Sequence, residues 1–209
     1  MPHLVLLGDS IFDNAAYTAG GPGVVTQLRG ELPDGWTAAL AAVDGSQAAD
    51  VAAQLAGLRA DATHLVLSVG GNDALMASGL LDEPVYSSAD ALRLIGASVR
   101  GFEARYQAAV AACLAPGLPL TVCTIYHGNF PDADYRERVM VALSAFNDAI
   151  VRTACAHGLD VIDLRAVCDQ PQDYANPIEP SSVGGAKIAR TVARVLTGAA
   201  APAARLFGA

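Results

Sequence analysis

The sequence predicts an α/β protein, a three-layer α/β/α sandwich around a five-stranded parallel sheet. Three observations carry that prediction. Short apolar runs alternate with helical segments along the whole chain. The runs are continuously apolar rather than alternating, as a sheet covered on both faces requires. The 209 residues suffice for a sizeable core, and charged residues make up only 16% of them.

The elements follow in order. His3–Leu7 is a compact strand closed by Gly8, and Val24–Leu32 is helix-like. Trp36–Val43 is a weaker strand, because alanine is a poor strand former. Ser46–Leu58 carries apolar residues at helical spacing, and His64–Val69 is a buried strand ended by Gly70-Gly71. A long helix is expected from about Ser88 to Ala115, capped by Ser87 or Ser88 and stopped by Pro116-Gly117. Leu118–Ile125 is a fourth strand, Tyr135–His157 a second long helix and Leu159–Leu164 a fifth strand. A last helix covers about Ser182 to Leu196. One domain over residues 1–200 and an Ala/Pro-rich tail at 201–209 are expected, without repeat or linker.

The formal net charge of -8 speaks against nucleic acid, which needs clustered Lys and Arg, and against an anionic membrane surface. No apolar stretch reads as a membrane span or a leader, so the expected location is cytoplasmic. Cys113, Cys123, Cys155 and Cys168 form no C-x-x-C pair and have no His at ligand spacing. They are expected to be buried free thiols, and no metal site is expected.

In open parallel sheets ligands bind beyond the carboxyl ends of the strands. Gly8-Asp9-Ser10 follows the first strand, where a serine can expose its hydroxyl and aim its N–H at an oxyanion. Asp44-Gly45-Ser46 follows the second. Gly70-Gly71-Asn72-Asp73 follows the third, and an Asn amide is an uncharged donor suited to an oxyanion, or equally a helix cap. Each block alone fits an ordinary turn.

Together these blocks resemble the GDSL/SGNH hydrolase family, over nearly the whole chain. The resemblance implies a flavodoxin-like fold with Ser10 as nucleophile. It also implies an oxyanion hole made of the Ser10 and Gly45 N–H groups and the Asn72 side chain. The last motif departs from the family. Where Asp-x-x-His is usual, this chain has Asn176-Pro177-Ile178-Glu179, flanked by a Pro-Ser and a glycine-containing helix start that fit.

Three readings of that departure stand. Glu179 serves as the base, its pKa raised by burial beside Ile178 and the prolines, with Asn176, Asp163, Asp169 or Asp173 orienting it. Alternatively His127, just after the fourth strand, is the base or shapes the pocket. His3 and His64 lie at the wrong sheet edge, and His157 sits at a helix end. In the third reading the protein binds an ester or acylated sugar without turning it over. Asp9, Asp13 and Asn14 are expected to brace the first loop and Asp73 to cap a helix. The expected activity is hydrolysis of a small-molecule ester or thioester with no cofactor. A short acyl group is expected, since the chain leaves no length for a lid, with Phe12, Tyr126, His127 and Phe130 near the site.

Overall fold

The computed structural model describes residues 1–198; the expected tail at 201–209 lies outside them. Five strands form one parallel sheet in the order β2-β1-β3-β4-β5. They are β1 His3–Gly8, β2 Thr37–Leu40, β3 His64–Ser68, β4 Leu120–Cys123 and β5 Asp160–Ile162. This order is that of flavodoxin-like sheets.

The central strands send side chains to opposite faces, residue by residue. Leu4 and Leu6 of β1 join Val66, Cys123 and Ile162 on one face. There they pack on α1 (Val24–Glu31), α6 (Leu164–Val167) and α7 (Ser182–Leu196) through Val24, Leu28, Leu164, Ile188 and Val192. Val5 and Leu7 join Leu65, Leu67 and Val122 on the other. Those residues pack on α2 (Val51–Leu55), α4 (Ser88–Leu114) and α5 (Ala133–His157) through Val51, Phe102, Tyr106, Phe146 and Ile150. Each fully buried Leu or Ile contributes about 1.5–3 kcal/mol, so both faces are needed.

Several expectations are corrected. The helix expected over 46–58 is a 3-10 turn at Ala48–Asp50 followed by the five-residue α2. The second strand is only four residues long. A short helix, α3 (Gly71–Met76), follows β3 directly, and a 3-10 segment runs over Ser78–Asp82. By length and composition α5 is apolar enough to cross a membrane, against the expectation that no segment approaches this. Its apolarity has another cause: Val139, Leu143, Phe146, Ala149, Ile150 and Ala154 face the core. Of the four free cysteines Cys113, Cys123 and Cys168 are buried, whereas Cys155 is only half-buried.

The chain leaves β1 through Gly8 at φ +121°, where a Cβ would lie 1.8 Å from the Ser68 carbonyl of β3. No other residue fits, and this close crossing sets the next two residues over the end of the sheet.

Candidate active site

Asp9 and Ser10 open a tight turn in which the N–H groups of Phe12 and Asp13 both donate to the Asp9 carbonyl at 3.1 Å. The Asp9 carboxylate accepts the Ile11 N–H, so it braces the loop as expected. Burial, with Glu179 and Asp73 nearby, pushes its pKa up to about 7.

The other loops are tied to this turn by polar side chains. Asp13 accepts the Asp44 N–H at 3.0 Å, joining the first and second loops. Asn14 is fully buried; it donates to the Pro180 carbonyl and accepts the Val24 N–H at 2.8 Å. Gln54 brackets Gly8, accepting its N–H at 2.8 Å and donating to its carbonyl at 2.7 Å. Motif spacing does not reveal Gln54, because its partner lies 46 residues away.

Gly45 sits at φ +80° in a turn closed by the Ser46 N–H on the Val43 carbonyl. Among the described residues neither its N–H nor that of Ser10 donates a hydrogen bond. Asn72 lies in the first turn of α3, and its amide donates one hydrogen bond to the Ser46 carbonyl at 2.9 Å. That bond orients the amide and leaves its second N–H for a ligand. Asp73 does not cap α3. Its buried carboxylate accepts the Ala48 N–H and pairs with Arg105 at 3.0 Å, bracing the loops against α4.

The last motif is held by its backbone. The Asn176 side chain accepts the N–H groups of Ile178 and Glu179, both at 2.9 Å. The carbonyls of Pro177, Ile178, Glu179 and Pro180 are taken by Asn129 N–H, the Tyr126 hydroxyl, Ala175 N–H and the Asn14 amide respectively. Gly128 allows this approach, since a Cβ there would lie 2.7 Å from the Pro177 carbonyl.

Glu179 is 6% exposed and Ser10 7% exposed, and both line the same cavity. Burial is the main influence on the Glu179 carboxyl and raises its pKa; Asp44 adds to the rise, and the Ser10 hydroxyl acts in the opposite direction. Oε2 of Glu179 is buried without a hydrogen-bond partner among the described residues. Such a carboxylate is a stronger proton acceptor than a solvated one. None of the acids considered as its orienting partner bonds it. Asp163 is engaged by Arg165 and Thr124, Asp169 by Lys187, and Asp173 by Lys187 and the Gln170 N–H.

Ser10, Asn72, His127 and Glu179 line one cavity, together with Tyr126 and Phe130. Gly45 does not line it. His127 is half-buried; burial and the Arg165 guanidinium hold its pKa down, and Asp163 acts oppositely. The Tyr126 hydroxyl is spent on the Ile178 carbonyl, so its ring alone faces the cavity. Phe12 is displaced from the expected pocket: at 1% exposure it packs in the core against α1 and α7. Among the described residues no group of three or more His, Cys, Asp or Glu side chains could hold a metal ion.

A hydroxyl beside a desolvated carboxylate, with amide donors and a cavity at the carboxyl end of a parallel sheet, is equipped for acyl transfer. The class this fold and site define is the acyl hydrolases. The chain belongs to the GDSL-like lipase/acylhydrolase family, whose model matches residues 6–185. No curated protein matches it. Similar solved structures include the extracellular lipase of Streptomyces rimosus, at 16% identity and TM-score 0.71, with 96% of this chain and 100% of that one covered. The phospholipase A1 of Streptomyces albidoflavus NA297 superposes at TM-score 0.70 and 16% identity, covering 95% of this chain and 99% of that one. The lipase/acylhydrolase of Enterococcus faecalis does so at 0.65 and 21% identity, covering 98% and 100%. At these identities the likeness is one of fold.

Proposed function

We propose that the protein hydrolyses carboxylic esters or thioesters through an acyl-enzyme on Ser10, with Glu179 as the base. Ser10 Oγ attacks the acyl carbonyl while its proton passes to Glu179. The charge on the carbonyl oxygen is taken by the Ser10 and Gly45 N–H groups and the free N–H of Asn72. Glu179 then returns the proton to the leaving alcohol or thiol. In the second half it deprotonates water, which attacks the acyl carbon and releases the acid and free Ser10. The reading rests on one observation above all: the buried Glu179 carboxylate, raised in pKa, lines the same cavity as Ser10 and Asn72.

A fluorophosphonate probe tests the nucleophile. Intact-mass analysis should show one adduct on the wild type and none on Ser10→Ala, with p-nitrophenyl acetate hydrolysis lost in parallel. Adduct formation on folded Ser10→Ala, or hydrolysis undiminished in that variant, would refute the assignment.

A further inference from the structure

Asn72 and Asp73, neighbours in the first turn of α3, both grip the loop that follows β2. The Asn72 amide donates to the Ser46 carbonyl at 2.9 Å, and Oδ2 of Asp73 accepts the Ala48 N–H at 2.9 Å. The other Asp73 oxygen, Oδ1, takes two N–H groups of Arg105 on α4, from Nε at 3.1 Å and from a terminal nitrogen at 3.0 Å. One oxygen thus faces the second loop and the other faces α4. A single carboxylate joins residues 48, 73 and 105, and neither Asp73 nor Arg105 lines the cavity.

Burial in this pair is lopsided. The Asp73 side chain is fully buried, whereas that of Arg105 is 44% exposed. The desolvation cost of a buried carboxylate largely offsets the attraction of its partner, so the pair adds little net stability. What it supplies is one geometry, because a planar guanidinium fixes both the distance and the direction of the oxygen it holds. That geometry places Ser46, and with it Gly45, against Asn72.

We infer that Arg105 is a positioning residue for acyl transfer: acting through Asp73, it locks the loop at 45–48 against α3 and so aims the Gly45 N–H and the Asn72 amide at one oxyanion. This rests on the hydrolase reading above. Oxyanion donors are effective when they are in place before the charge forms. A loosened second loop therefore harms the transition state and leaves ground-state binding in the cavity nearly unchanged.

The test separates those two states with a pair of ketones. Butyl trifluoromethyl ketone takes Ser10 Oγ at its carbonyl carbon, the serine proton passes to Glu179, and the oxyanion formed sits among the donors. Butyl methyl ketone is not activated for this addition and reports ground-state binding alone. Arg105→Met should lower kcat/KM for p-nitrophenyl acetate at least ~tenfold and weaken inhibition by the trifluoromethyl ketone by a similar factor. Inhibition by the methyl ketone should stay within ~threefold of wild type. Asp73→Asn carries the same expectation should Arg105→Met not fold, because an amide has one oxygen and turns its NH2 toward either Arg105 or the Ala48 N–H. Arg100→Met, at an exposed position on the same helix, should match wild type. A folded Arg105→Met or Asp73→Asn with unchanged kcat/KM, an equal weakening of both ketones, or an equal loss in Arg100→Met would each overturn the inference. These results leave the hydrolase reading intact, whereas a wild type inert toward every ester and unlabelled by a fluorophosphonate would fail both.

Discussion

Asn176 holds Glu179 by the backbone: its side-chain oxygen accepts the Glu179 N–H at 2.9 Å and makes no use of the Glu179 carboxylate. The residue at the position of the usual acid thus fixes the turn that carries Glu179, the proposed base. Asn176→Ala removes two acceptor contacts and should lower kcat about tenfold or more with a smaller change in KM, since a loosely placed base loses proton-transfer geometry. Asn176→Asp keeps the acceptor and should retain far more activity. Equal losses in both variants would show that the turn is not what matters.

The pH profile follows from the same carboxylate. Glu179 must be ionised to accept a proton, so kcat/KM should rise with pH through its pKa. Burial and Asp44 place that midpoint above the ordinary 4.5. Asp44→Asn removes a like charge and should move the acid limb down by about a few tenths of a unit, Asp44 being solvent-exposed. A limb that ignores Asp44→Asn and shifts with Arg165→Gln would instead point to His127, whose pKa Arg165 depresses.

Asp9 gives a stability prediction. Its carboxyl titrates near 7 in the folded protein and at 3.8 ordinarily. Between those values the folded state binds the extra proton, so stability is highest below pH 4 for this group and falls as pH rises toward 7. The loss is on the order of 4 kcal/mol at about 1.4 kcal/mol per pKa unit. Asp9→Asn keeps an acceptor for the Ile11 N–H and should flatten the dependence of Tm on pH over that window. An unchanged slope would show that Asp9 titrates normally.

Gln54 spans the first two loops. Gln54→Leu would leave the Gly8 N–H and carbonyl without their side-chain partner and should cost about 2 kcal/mol in chemical denaturation. Ser10 would lose its anchor as well, so kcat should fall further than the loss of folded protein explains. Activity per folded molecule equal to wild type would limit Gln54 to stability.

What was legible in the sequence was local or periodic. α7 is found at Ser182–Leu196 as read, because Ser181 caps it and its apolar spacing is regular. β1 and β3 stand out as unbroken apolar runs that end at glycines. α3 was hidden because Gly70-Gly71-Asn72-Asp73 reads as a turn, and its helix is held by the Arg105 and Ala48 contacts of Asp73 rather than by propensity. Positions after successive strands singled out Ser10 and Asn72, and the resemblance in the last motif singled out Glu179; all three line one cavity. Asn14 joining Pro180 across 166 residues, and the reach of the cavity between α3 and α5, depend on long-range packing with no local signature.

The most direct test of the central claim compares Glu179→Gln with His127→Ala in p-nitrophenyl acetate hydrolysis, each checked for folding. Glu179 as base predicts that Glu179→Gln loses at least about a hundredfold in kcat while His127→Ala keeps activity within about tenfold of wild type. A folded Glu179→Gln that stays active while His127→Ala is dead would contradict it.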